Sequence, residues 1–213
     1  MAELSEALVS ATLPIEESPS KRSPQSSANR GSPTHFVYIK LDDEVRSHLR
    51  ILQEALREDA LKHDLEEIQI RHAHITVGVF DFLPIQEVYS QEGLDTLKKD
   101  LLTEVMENTQ SFEVKFLDLG HFQGKFLYVG IERCQDLLDL RSKVVDTFEK
   151  HSILCTDKRP YAPHITLFKG NTRTPVDEET KLSLRKYLSS IELPDMKPVW
   201  VDDIHIREIS GGK

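Results

Sequence analysis

His74-Ile75-Thr76-Val77 and His164-Ile165-Thr166-Leu167 are two copies of one tetrapeptide pattern, 90 residues apart in a chain of 213. Each copy sits in a β-branched stretch without helical periodicity, so His74 to Val79 and His164 to Lys169 read as strands. Residues two apart on a strand share a face, which puts His74 beside Thr76 while Ile75, Val77 and Val79 turn the other way into a core. The second copy repeats the arrangement. An ordinary buried strand does not choose imidazole and hydroxyl for one face twice, so the two polar faces are expected to line a shared cleft.

The flanking sequence alternates between periods of about 2 and about 3.6 residues. Strands are predicted at Phe36 to Leu41, across Phe112, Val114 and Phe116, at Phe126 to Ile131 and at Val199 to Ile206. Helical stripes run through Val45, Leu49, Leu52 and Leu56, through Leu94, Leu97, Leu101 and Val105, through Leu137, Leu140, Val144 and Phe148, and from Lys181 to Leu188. The order, roughly βαβαββαβαβ with one motif per half, predicts an α+β fold of two similar lobes.

Residues 1 to 33 are rich in Ser, Pro and Glu and nearly free of apolar groups, which predicts a disordered tail ahead of a domain spanning 34 to 213. Ser18-Pro19, Ser23-Pro24 and Ser32-Pro33 have the form of proline-directed phosphorylation sites, a dipeptide common in any such tail. The N-terminus carries Glu3 and Glu6 where a secretory signal would be basic, and no apolar run approaches the roughly 18 residues of a membrane span. Cys134 and Cys155 are the two cysteines, with no C-x-x-C pair, so neither a disulfide scaffold nor a cysteine-rich zinc module is expected. A reducing, cytoplasmic setting is expected, with the nucleus as an alternative, and a monomer. With 27 Lys+Arg against 36 Asp+Glu, a net charge of -9, a broad basic face for duplex DNA is not expected, and any nucleotide chemistry must be local.

Two histidines facing each other suit acid–base chemistry, since an imidazole titrates at about 6.5, near working pH. One would take a proton from an attacking water or hydroxyl while the other gives one to the departing oxygen. The Thr76 and Thr166 hydroxyls would donate to the non-bridging oxygens of a phosphate between them. This scheme uses no metal and no cofactor. The alternative is a metal site built on His72-x-His74, with His121 or His205 as further ligands.

These residues resemble the two-histidine (2H) phosphoesterase superfamily, which includes LigT-like RNA ligase/cyclic phosphodiesterase proteins, and most of all the phosphoesterase-like domain of the A-kinase anchoring protein seven group. Thr34-His35-Phe36-Val37 resembles the opening strand of that domain, and HITVGVF and RPYAPHITLFKG its two motif segments, so the likeness covers about residues 34 to 209. It implies a bilobal, pseudo-twofold structure with two antiparallel sheets flanked by helices around a central groove. It also implies His74, Thr76, His164 and Thr166 as catalytic residues and a nucleotide or RNA-end substrate, with a 2',3'-cyclic phosphate or a 2',5' linkage. A nucleoside-monophosphate or RNA binding module with little or no turnover is the alternative. The chain ends at Gly211-Gly212-Lys213 with no amphipathic helix after the domain, so kinase anchoring is not expected.

Four further residues are candidates for substrate contact. Tyr161, three before His164 with Pro163 between, matches the family's aromatic approach to the second motif; its ring would stack on a base, its hydroxyl reach a phosphate, or its ring simply pack. Arg159, like Lys158 and Arg71, would compensate phosphate charge or be solvated. Phe168 shares strand parity with His164 and would contact a base, whereas Lys169 has the opposite parity unless the strand bulges. Gly78 shares parity with His74, and its missing side chain would leave room for a ligand or mark a bulge.

Overall fold

The structure is a computed structural model that describes residues 32–171 and 173–209. All but the last two residues of the expected tail therefore lie outside the described residues. The elements are β1 (His35–Lys40), α1 (Asp43–Lys62), β2 (Leu65–Glu67), β3 (His74–Asp81), α2 (Leu83–Gln86), α3 (Gln91–Glu107), β4 (Phe112–Val114), β5 (Phe116–Phe122), β6 (Phe126–Ile131), α4 (Gln135–Lys150), β7 (Leu154–Cys155), β8 (His164–Gly170), α5 (Glu178–Leu188), β9 (Val199–Val201) and β10 (His205–Glu208). They build an α+β fold with two four-stranded antiparallel sheets, ordered β10-β1-β3-β7 and β2-β8-β6-β5, and a β4-β9 ribbon.

The helices form where the apolar stripes and caps require them. Asp42 opens α1 by accepting the Val45 N–H at 2.7 Å, and Val45, Leu49, Leu52 and Leu56 are buried in one row. In α4 the row is Leu137, Leu140, Val144 and Phe148, and the Phe148 ring lies 4.5 Å from that of Phe80 in β3. Each such side chain contributes about 1.5–3 kcal/mol by leaving water. α1 packs on β8 and α4 on β3. The short strands cross over as well: β2, which follows α1, pairs with β8, and β7, which follows α4, pairs with β3. Each lobe is thus completed by a helix and a strand from the other half of the chain.

Both motif strands bulge at the same place. Val37 stands opposite Gly78 and Tyr38 opposite Thr76, leaving Val77 as the extra residue; Leu127 stands opposite Phe168 and Tyr128 opposite Thr166, leaving Leu167 extra. An extra residue inverts the alternation beyond it, so strand parity read from His74 or His164 fails after the threonine.

Three departures from the sequence reading follow from strand length and edges. The stretch across Phe112 to Phe116 is two strands that separate at Lys115, because β4 pairs with β9 in the ribbon while β5 pairs with β6 at the edge of the second sheet. The last strand also divides at Asp202-Asp203 into β9 and β10, which join different sheets. β2 and β7 have three and two residues, too few to show a period.

Candidate active site

His74 and His164 are held by the same device. Each Nδ1 donates to the backbone carbonyl two residues earlier, His74 to His72 and His164 to Ala162, both at 2.7 Å. A carbonyl only accepts, so the Nδ1 proton is fixed and the neutral ring keeps its lone pair on Nε2. Two aromatic rings brace each imidazole, both from β1 at His74, one each from β5 and β6 at His164. Phe36 stacks on His74 at 4.7 Å with Tyr38 edge-on at 5.2 Å, while Phe122 meets His164 edge-on at 4.8 Å with Tyr128 at 5.3 Å. Burial pushes both imidazoles below their usual pKa, and the carbonyl bonds oppose it. Arg207, His164 and His72 lower His74 further; Arg159 lowers His164 and Asp157 raises it.

A cleft of about 720 Å³ is lined by Thr76, His164 and Thr166. His74 is not among its lining residues; it shares the Thr76 face, and the charge of His164 reaches it. Among the described residues neither threonine hydroxyl has a hydrogen-bond partner, so both remain available to a ligand.

The other candidates divide. Arg159 lines the cleft, its exposed guanidinium forked onto Asp157 at 3.0 and 3.1 Å. Tyr161 also lines it, but its hydroxyl donates to the Thr76 carbonyl at 3.0 Å and its ring lies under the Arg141 guanidinium at 4.5 Å, so both its face and its tip are engaged within the protein. Phe168 does not reach the cleft. The Leu167 bulge turns it into the core, where it is 1% exposed, and its expected base contact does not form. Gly78 borders the cleft through its backbone, but a Cβ there would lie 2.7 Å from the Phe80 ring, so the space beside it is occupied by Phe80 rather than open to a ligand. Lys169 is exposed and Arg71 reaches Gln69, neither in the lining.

The metal alternative has no constellation behind it: among the described residues no three His, Cys, Asp or Glu side chains group in a way that could hold an ion. His72 receives Arg71 at 3.2 Å instead.

Sequence reasoning missed two groups. Phe36 and Tyr38 alternate with Val37 and Ile39, a signal that specifies a strand but not that its aromatic face braces a histidine. Arg141 and Gln53 carried no signal, since each lies on a core-facing helix and acts through backbone. Arg141 of α4 donates to the carbonyl of the bulged Val77. Gln53 of α1 donates to the carbonyl of the bulged Leu167 at 2.7 Å and to that of Ile68 at 2.8 Å.

The fold is similar to that of several solved structures. Escherichia coli LigT in its apo form is 17% identical, with 85% of this chain matching 90% of that one at a TM-score of 0.55. The TT0787 protein of Thermus thermophilus is 18% identical over 81% and 83% at 0.52, and the MHV ns2 PDE domain 14% identical over 83% and 100% at 0.50. No curated protein sequence matches at a significant level. The fold is that of LigT, and the family model described as the AKAP7 2'5' RNA ligase-like domain matches residues 33–210, so the chain belongs to that family.

Proposed function

We propose that the protein is a metal-independent phosphodiesterase acting on a small nucleotide or an RNA end, either a 2',3'-cyclic phosphate or a 2',5' linkage. The observation that carries this reading is the duplication: two imidazoles with Nδ1 tied to a carbonyl and Nε2 free, each with an unengaged threonine hydroxyl on the same strand face. With a phosphate between the motifs, one neutral Nε2 takes the proton of an attacking water or ribose hydroxyl as its oxygen bonds to phosphorus. The other, protonated at Nε2, delivers its proton to the leaving oxygen as that bond breaks. Thr76 and Thr166 donate to the non-bridging oxygens, where negative charge builds. Tyr161 and Arg141 hold the consecutive Thr76 and Val77 carbonyls of β3 and so fix the direction of Thr76.

Support from relatives is of the same kind: LigT has been solved with 3'-AMP, with ATP and with phosphate. The test is turnover of 2',3'-cyclic nucleotides, 2',5'-linked oligoadenylates and short RNAs in EDTA. Hydrolysis of one class supports the reading. Bound monophosphate without hydrolysis of any would leave a binding module, and activity that EDTA abolishes and zinc or manganese restores would favour metal chemistry.

A further inference from the structure

The cleft carries more charge and more room than one phosphate uses. In a chain of net charge -9, Arg141, Arg159, Lys181 and Arg185 face it against Asp157 and Glu178. Its volume of about 720 Å³ lies in the upper half of the range for small-molecule sites, roughly 300–1,000 Å³. The cations fall into two sets. Arg141 is bound to the Val77 carbonyl and the Tyr161 ring, and Arg159 to Asp157; it is Arg159 that acts on His164. Lys181 and Arg185 stand four residues apart on α5, hence on one face, and act on His121 instead. Phe122 lines the same cleft, next to His121 on β5 and edge-on to His164.

The α5 pair is more than a solvated helix face. The Lys181 side chain is only 19% exposed, and its ammonium meets the outward Glu178 carboxylate at 2.6 Å. That exposed carboxylate offsets the cost of keeping the Lys181 cation partly out of water, which leaves Arg185 as the uncompensated charge of the pair. Arg185 has no ion pair or side-chain hydrogen bond among the described residues. The wall behind them is fitted closely: a Cβ on Gly124, where φ is +69°, would lie 2.9 Å from Val176 and 3.5 Å from Lys181. His121 braces that turn by accepting the Gly124 N–H at 3.0 Å.

We infer that Lys181 and Arg185 form a second anion subsite that takes a phosphate of the substrate other than the one that reacts. The substrate class is then a nucleotide with at least two phosphates, such as a short oligonucleotide bearing a 5'-phosphate. This inference rests on the phosphodiesterase reading only in taking a nucleotide as the ligand.

The test uses a 2',5'-linked diadenylate made hydrolysis-resistant by a phosphorothioate linkage, with and without a 5'-phosphate, titrated calorimetrically against the full chain in EDTA. Wild type should bind the 5'-phosphorylated form about 10-fold tighter, an advantage that shrinks as salt is raised. Lys181→Gln/Arg185→Gln should bind the two forms alike. Arg185→Gln alone, at an exposed side chain, should lose part of the preference and serves if the double variant melts early. Equal affinities in wild type, or a preference that survives both variants, overturns the subsite. A preference lost in the variants, in a protein that hydrolyses no diester, upholds the subsite and removes the phosphodiesterase reading; turnover without any preference does the reverse.

Discussion

At the residue scale, the proton positions of the proposed mechanism follow from one hydrogen bond per histidine. With Nδ1 held by a carbonyl, both rings offer Nε2, and burial lowers both pKa values. The productive pair carries one proton, so its population peaks between two macroscopic pKa values that lie below about 6.5. kcat/KM for a cyclic nucleotide should therefore be bell-shaped with its maximum on the acid side of neutrality, and a maximum at pH 8 or above would contradict the arrangement. Thr76→Ala and Thr166→Ala should each lower turnover by roughly 10²–10³-fold, measured by initial rates with folding checked by circular dichroism.

At the scale of elements, the two bulges decide which side chains reach the cleft. Phe168→Ala should cost about 3–5 kcal/mol in denaturant unfolding, as for a core phenylalanine, and a base-stacking residue would instead raise KM with little loss of stability. Gln53→Leu leaves the bulged Leu167 carbonyl with the Ile68 N–H but takes away its side-chain donor, for an expected loss of about 1–3 kcal/mol. How much the sequence disclosed also turns on these bulges. The motifs, the long helices and the α+β class were legible because periodicity over many residues is dictated by burial. Parity held from His74 to Thr76 and from His164 to Thr166, and failed at Gly78 and Phe168, since an extra residue in a strand leaves no mark on composition. Arg141 was illegible for a different reason: its target is the Val77 carbonyl, and backbone partners depend on which helix crosses which strand.

At the scale of the whole molecule, the exchange of β2, β7, α1 and α4 between the lobes ties the two motifs into one cooperative structure. Unfolding followed by fluorescence and by circular dichroism should give coincident single transitions, whereas two separate ones would mean independent lobes. Protonation provides a second check on the packing. Burial depresses the pKa of His35, His74, His121 and His164, so below about 6.5 the unfolded chain binds more protons than the folded one. Stability should thus rise with pH between roughly 5 and 7 and level off above, readable as Tm across that window. The central claim, that two histidines on interleaved lobes act as one acid–base unit without a metal, is tested most directly by turnover of the panel's best diester in EDTA by wild type, His74→Ala, His164→Ala and the double variant. The account predicts full wild-type activity, losses of about 10²–10⁴-fold in each single variant, and little further loss in the double. Folded single variants that turn over at the wild-type rate would contradict it.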